Sequence, residues 1–583
     1  MKIFIRAINI LLYFSLLGYT KITAQDIKKI NSRPPLDIPL HISGNFGEIR
    51  QNHLHTGIDF RTMGMTGMNV YAVDNGYVSR IKIEPDGYGK AIYITHPNGY
   101  VSIYAHLNQL RDDIEHYCKD EQYKQKRYGI DILLKPKEIL VKKGDIIACS
   151  GNSGGSTGPH LHFEMREEKS QNPVNVLRYT NINIVDTLPP VIEKLWVYPL
   201  NAASTVNQQY ASASYDVISS KSESILTPDS PILVKGDIGL GIQAYDRTDT
   251  SNMQVGIYSI DLYVNNKLIF QQVLNKYSFS ETRYVNSLID YGHYIQNQEY
   301  INRLFLQPNN QFSIYRQVIN RGIIIVGDNS VKTIDIRVKD ANLNQTELRF
   351  KLKGDRMTPK IKPSIMVKNN VVQQKMLYKN DNLFQHDQIK VFIPKNALYD
   401  DLVFEYSKLP QQAGYFSEIH QIHNPFTPLH KAASLYIKPD NLPSKLNNKA
   451  LLINLDGQGH IKWTGGAYKD GYVAGNIRTF GNYTVGIDTV APQITFINNN
   501  LNNNDFTNLE QISFTVKDDL SGINRYNGYI DGQWALFEID PKQNLIFYEF
   551  YPLRIQVGIK HQLDLYVTDE KGNTAEYHTG FFK

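Results

Sequence analysis

The chain is dominated by short stretches in which hydrophobic and polar positions alternate. From His160 to Met165, Leu161, Phe163 and Met165 fall on one side of an extended strand. His160, His162 and Glu164 fall on the other, because side chains two apart project together. A Gly/Ser run over residues 151–158 precedes this strand as a loop. Upstream, residues 69–73, 76–83 and 91–96 alternate in the same way, and Pro97-Asn98-Gly99 predicts a tight turn. Residues 100–106 then form the return strand of a hairpin. That strand is expected to carry Tyr100, Ser102, Tyr104 and His106 on a polar face and Val101, Ile103 and Ala105 on an apolar one. Residues 111–137 are charged and read as a helical or irregular insertion, after which residues 139–141 and 146–150 resume strands around a Lys-Lys-Gly-Asp turn. Up to about Val176 the pattern describes a small, mostly antiparallel β-domain with histidines gathered at strand ends.

Beyond Val176 the strands are joined by Asn/Asp turns, and the chain repeats itself. Asp186-Thr187 with Pro190 and Ile192 recurs as Asp488-Thr489 with Pro492 and Ile494, and a looser copy starts at Asp355 with Pro359 and Ile361. The ends repeat as well: Asp335, Val338, Asp340 and Asn344 have the spacing of Asp564, Val567, Asp569 and Asn573. Repeats of this kind predict β-sandwich, Ig-like modules in series. The expected divisions are 1–24, 25–180, 186–354, 355–487 and 488–583, the module 355–487 matching the repeat least well. The fold class expected is therefore mainly β: a small antiparallel β-sheet domain followed by sandwich modules. A chain of 583 residues is too long for one core, which agrees with this count.

Composition changes the picture at the N-terminus. Lys2 and Arg6 precede an apolar run over residues 7–19 and then Thr23-Ala24, the pattern of an export signal over residues 1–24. The run is shorter than the ~20 residues of a spanning helix. With no cysteine after it, a lipid anchor is not expected, and no later segment reads as transmembrane. The protein is thus expected to be exported, to a periplasm or cell surface. A net charge of +5 is too small for this length to mark a nucleic-acid binder. Two cysteines, Cys118 and Cys149, do not make a disulfide framework, and their spacing leaves open whether they pair.

The candidate chemistry lies in the histidines. With 16 of them, a His-x-His arises by chance about once in two such chains, and this chain has two, at 53/55 and 160/162. What singles out the second is its company: His55-x-x-x-Asp59, then Tyr104-Ala105-His106-Leu107, then Gly158-Pro159-His160-Leu161-His162. In order, spacing and flanking residues these pieces resemble the lysostaphin-type (LytM) zinc metallopeptidases of bacterial cell walls, over about residues 44–175. The resemblance implies Zn2+ as cofactor, with His55, Asp59 and His162 as its ligands and His106 and His160 as catalytic histidines. Three protein ligands leave a tetrahedral zinc one position open to water, whose pKa then falls towards neutrality. His160 would act as general base, and His106 would steady the oxyanion or protonate the leaving amine.

The function implied is a secreted endopeptidase that cuts peptide cross-links of peptidoglycan through a zinc-activated water. Two alternatives stand beside it: a non-catalytic wall-binding or amidase-activating module, and the same hydrolysis on an exported protein or peptide. The β-modules read as binding or spacing units for an envelope or protein partner. Other histidines are given lesser roles. His53 has the wrong spacing to Asp59, His96 belongs to the hairpin, and His420, His423 and His430 read as solvated loop residues. Glu164, on the face of His162, is placed to orient an imidazole. The glycine run 151–158 lacks the Gly-Lys-Ser/Thr of a phosphate loop, so no nucleotide role is expected.

Overall fold

A strand whose alternate residues are apolar must lay that side on something, and the first domain does so with a single sheet. The computed structural model describes residues 29–220, 223–357, 370–497, 504–551 and 554–583. The expected export signal lies outside the described residues, as do Pro359 and Ile361 of the loosest repeat. The central antiparallel order runs Ile42–Gly44, Ile58–Arg61, His160–Glu167, Tyr100–Leu110, Lys90–Thr95, Gly76–Ile83 and Leu140–Val141. Phe60, Tyr104, Leu161, Phe163 and Met165 fill the core on one face. On the opposite face Ala91, Tyr93, Val101, Ile103 and Ala105 form a smaller cluster, beside the histidines.

The insertion at 111–137 is ordered. Helix Asp112–Gln125 carries Asp112, Asp113 and Glu115 in its first turn, where the helix dipole favours negative charge. It seats Ile114 and Cys118 in the core, and strand Ile130–Leu133 then pairs with the edge of Gly76–Ile83. Cys118 and Cys149 are both free thiols, Cys118 buried and Cys149 partly so.

The return strand of the hairpin differs from its expected pattern. Ser102 and Tyr104 are fully buried, and the Tyr104 hydroxyl accepts the Val73 amide at 2.9 Å and the Ser102 hydroxyl at 3.1 Å. The face expected to be polar is thus the core face; hydroxyls bonded internally pass as polar in sequence but pack as apolar bodies. His162 sits opposite Ala105, and Phe163 opposite Tyr104. By strict alternation His106 would therefore point into the core with Tyr104. A shift of register between Lys90/Leu107 and Ile92/Tyr104, with His106 at φ +58°, turns it out to the other face instead.

Residues 191–354 form a 13-stranded sheet system around a second core. Between 372 and 487, a six-stranded and a five-stranded sheet share one core, as facing sheets of a sandwich do. Two four-stranded sheets do the same between 493 and 582. This last module folds back on the first domain. Leu536 joins the first domain's core, Trp534 meets Tyr123 edge-on, and Lys90 pairs with Glu538 at 3.1 Å. His420 is buried on strand Ile419–Ile422, stacked with Tyr406 and 2.9 Å from its hydroxyl, not solvated as expected. The polar sequence around it hides that the strand lies inside a sandwich. His430 stacks on Tyr284 and His423 lies 3.0 Å from the Thr427 hydroxyl, so the three serve separate neighbours.

Candidate metal centre

Strand Ile58–Arg61 pairs with His160–Glu167 so that Asp59 stands opposite His162. His55 precedes that strand by a short connection through Gly57, where a Cβ would lie 2.4 Å from the Phe163 carbonyl. A side chain there would push the two segments apart, which is why this position requires glycine.

The result is a tight triangle. His55 Nε2 lies 3.1 Å from His162 Nδ1, His55 Nε2 lies 3.1 Å from Asp59 Oδ1, and His162 Nδ1 lies 2.9 Å from Asp59 Oδ1. The outward nitrogens are both engaged: His55 Nδ1 lies 2.8 Å from the Asn45 carbonyl and His162 Nε2 lies 2.8 Å from Glu164 Oε1. Those acceptors place the imidazole protons outward, so in neutral rings two lone pairs and a carboxylate oxygen face one another. Three acceptors at such distances need a proton or a cation between them. Ligands of a tetrahedral ion with bonds of about 2.0 Å lie about 3.3 Å apart, close to what is found, and the N2O donor set with its open side suits zinc. All three residues are buried.

The electrostatics point the same way. Burial opposes ionisation of Asp59, yet the imidazoles around it outweigh burial and hold the carboxyl well below its ordinary range. Burial likewise works against the charged form of His162, but its bonds to Asp59 and Glu164 win and raise it to about 9. The centre is thus built to hold positive charge. Arg50, 3.2 Å from Asp59 Oδ2, takes the carboxylate's other oxygen.

His160 and His106 flank the triangle. His160 Nδ1 lies 2.8 Å from the Gly158 carbonyl and His106 Nδ1 lies 2.9 Å from the Ser153 carbonyl, so both rings turn Nε2 towards the centre. Their ring centres are 4.8 Å apart, and His160 Nε2 stands 3.4 Å from Asp59 Oδ1. Burial, and then the neighbouring His162 and His160, push His106 down to about 3, which keeps it neutral. His53 lies exposed at the rim with Nδ1 2.9 Å from the Gln51 carbonyl, and His96 is buried against Asn75 and Ser102. All five residues expected at the centre are together; His53 and His96 are not among them.

Sequence reasoning placed Glu164 behind an imidazole but missed most of what holds it. Glu164 is fully buried and accepts from Tyr88 and Thr56 hydroxyls at 2.5 Å each and from Arg166 Nε at 2.7 Å. Arg166 was within reach, since it continues the same alternating face as His160, His162 and Glu164. Tyr277 was not: it comes from the second module and donates its buried hydroxyl to the His55 carbonyl at 2.7 Å. The surrounding cleft has a volume of about 860 Å3, and Met253, Phe279 and Thr282 of the second module form one of its walls.

Comparison with known proteins bears on this geometry. Residues 53–123 and 114–176 match the family model described as Peptidase family M23, and residues 373–488 match that of the Zu5-like domain. An uncharacterized metalloprotease of Haemophilus influenzae is 30% identical over 152 residues, covering 25% of this chain and 27% of that protein. The DD-carboxypeptidase/endopeptidase Mpg of Neisseria meningitidis is 34% identical over 124 residues, or 21% of this chain and 23% of its own. The peptidoglycan DD-endopeptidase ShyA of Vibrio cholerae is 30% identical over 195 residues, 32% and 39% of the two chains. The chain therefore spans between about a quarter and two fifths of these relatives' lengths. Among solved structures, a zinc containing peptidase from Vibrio cholerae is 28% identical with a TM-score of 0.19, covering 26% of this chain and 40% of that one.

Proposed function

The chain carries a peptidase family M23 domain over residues 53–176, and from that premise we propose that it is a zinc metalloendopeptidase hydrolysing peptide cross-links of peptidoglycan. The observation that carries this reading is the triangle of His55 Nε2, Asp59 Oδ1 and His162 Nδ1 with two further Nε2 atoms turned towards it. His55, Asp59 and His162 would hold the zinc. Bound there, zinc supplies Lewis acidity towards the scissile carbonyl and lowers the pKa of a water towards neutrality.

The chain's own groups do the rest. The carbonyls of Gly158 and Ser153 fix His160 and His106 in the same tautomer, with a free lone pair on each Nε2. Either Nε2 can therefore take the proton released from the attacking water. A neutral His106 in this tautomer cannot donate to an oxyanion; it becomes a donor only once protonated, and then it can deliver that proton to the leaving amine nitrogen. This favours the acid role of His106 over that of a standing oxyanion donor. Glu164, held by Arg166, Tyr88 and Thr56, keeps His162 in the orientation that presents Nδ1 inward.

The complete set of five residues speaks for hydrolysis over a purely binding role. The substrate assignment draws on relatives named as peptidoglycan endopeptidases. Export would bring the domain to that substrate, and the later modules, read as Ig-like, would hold or space it there. Incubated with cross-linked sacculi, the purified protein should release soluble peptide fragments, and a zinc chelator should stop the release until zinc is restored. Fragment release that survives both chelation and His162→Ala would end the proposal.

A further inference from the structure

Three aspartates from distant parts of the chain meet where the first domain hands over to the second module. Asp186 lies in the connecting segment, Asp246 in strand Ile232–Thr248, and Asp340 just after strand Val331–Lys339. One carboxylate oxygen of each lies within 4.8 Å of the others. Asp246 is only 3% exposed, and its Oδ1 has no hydrogen-bond partner. A buried carboxylate that has one oxygen unpartnered and two more carboxylates beside it is costly in two ways, through lost solvation and through repulsion. Without a cation, burial first and the neighbouring acids next push Asp246 up to about 9 and Asp186 up to about 7.

We propose that Asp186, Asp246 and Asp340 form a divalent-cation site that takes a hard ion of the Ca2+ type and locks this joint. The donors are all oxygens, with no imidazole or thiolate, which selects against zinc and for calcium or magnesium. Oxygens sharing one Ca2+ at about 2.3–2.6 Å lie up to about 5 Å apart, which suits the spacing found. Asp340 is held ready for it. The Asn344 amide donates to Oδ1 at 2.8 Å, and Asn344 Nδ2 donates to Oδ2 at 2.6 Å and to the Asp186 carbonyl at 3.1 Å.

The last joint repeats this clamp through Asn573, Asp569 and the Asp488 carbonyl at the same distances, with Asp518 as the third acid. At the first joint Asp186 and Asp340 accept backbone amides from Leu188 and Asn344, and Asp246 Oδ1 accepts none. At the last joint Asp488, Asp518 and Asp569 all accept them, from Val490 and Ser521, from Leu520 and Gly522, and from Lys571 and Asn573. The Lys571 ammonium is also close enough to interact with Asp488 and Asp569. That cluster carries its own compensation, and the proposal is confined to the first joint.

An ion there would brace the cleft. Asp246 pairs with Val255 of strand Ser251–Val255, whose Met253 lines the cleft. The next residue, Gly256, exchanges two hydrogen bonds with the Asn45 side chain, at 2.6 and 2.8 Å. The Asn45 carbonyl in turn takes His55 Nδ1.

The test is calorimetric titration of Ca2+ into the full, zinc-loaded, calcium-depleted chain, with thermal unfolding in parallel. Wild type should bind Ca2+ and unfold at a higher temperature with it. Asp246→Asn and Asp186→Asn should each bind one equivalent fewer and lose that rise, whereas Asp518→Asn should keep the wild-type number. Without calcium, Asp246→Asn should unfold no earlier than wild type, since the amide removes a repulsion; this separates a lost site from a lost fold. A wild type that shows neither heat nor shift with Ca2+, or an Asp246→Asn variant that binds the full number of equivalents, would overturn the site.

Discussion

Replacing Glu164 by Gln tests how the centre is supported without touching any group placed in contact with the ion. The side chain is fully buried and serves two clients: Oε1 faces His162 Nε2, Tyr88 and Thr56, and Oε2 faces Arg166 Nε at 2.7 Å. An amide must turn its NH2 either towards Arg166 or towards His162, so one donor meets another whichever way it is placed. Arg166 is itself buried, 6% exposed, and would be left charged without its carboxylate. Breaking a buried pair from one side costs about 3–5 kcal/mol of folding stability. Loss of the imidazole's outer partner should weaken zinc binding by about 10–100-fold.

Urea unfolding of the zinc-free protein reads the first quantity, and competition with a chromophoric chelator reads the second. The double change Glu164→Gln with Arg166→Met separates them. It should recover much of the stability, since no buried charge is left unpaired, but not the zinc affinity. Glu164→Gln with the wild-type unfolding midpoint and wild-type zinc affinity would show that the carboxylate does not orient His162.

Two further outcomes follow from buried charge elsewhere. His420 is lowered by burial from its ordinary 6.5 to about 4, so the unfolded chain takes up its proton first as pH falls. Stability should therefore drop between about pH 6.5 and 4, by about 3 kcal/mol from this residue, and His420→Gln should flatten that part of a stability-versus-pH curve; an unchanged curve would refute it. Lys90 and Glu538, 3.1 Å apart with side chains 14% and 12% exposed, join the first domain to the last module. Lys90→Met should cost about 3 kcal/mol in urea unfolding by stranding Glu538, and Lys90→Met with Glu538→Leu should recover most of it. A double variant no better than the single would count against a stranded charge.

The sequence was legible wherever alternation and ligand chemistry were local. The strand His160–Glu167 shows its two faces directly, and its apolar side is the core found in the structure. The repeated Asp and Asn positions build the same clamp twice. Alternation failed at Tyr100–Leu110, where internally bonded hydroxyls made a core face look polar and a positive φ at His106 reversed the last side chain. It failed again at His420, whose strand is buried by a facing sheet no local pattern announces.

By itself the sequence offered the side chains with ligand chemistry and roughly which short strands would carry them, because residue chemistry and two-residue periodicity are properties of the local chain. Tertiary structure alone decided the rest: that Tyr277 would brace His55, that Met253 and Phe279 would wall the cleft, and that buried Asp246, with one oxygen unpartnered, would be brought beside two more carboxylates. Those arrangements depend on which surfaces pack together across hundreds of residues, and the burial that gives them their energy exists only once the modules have met.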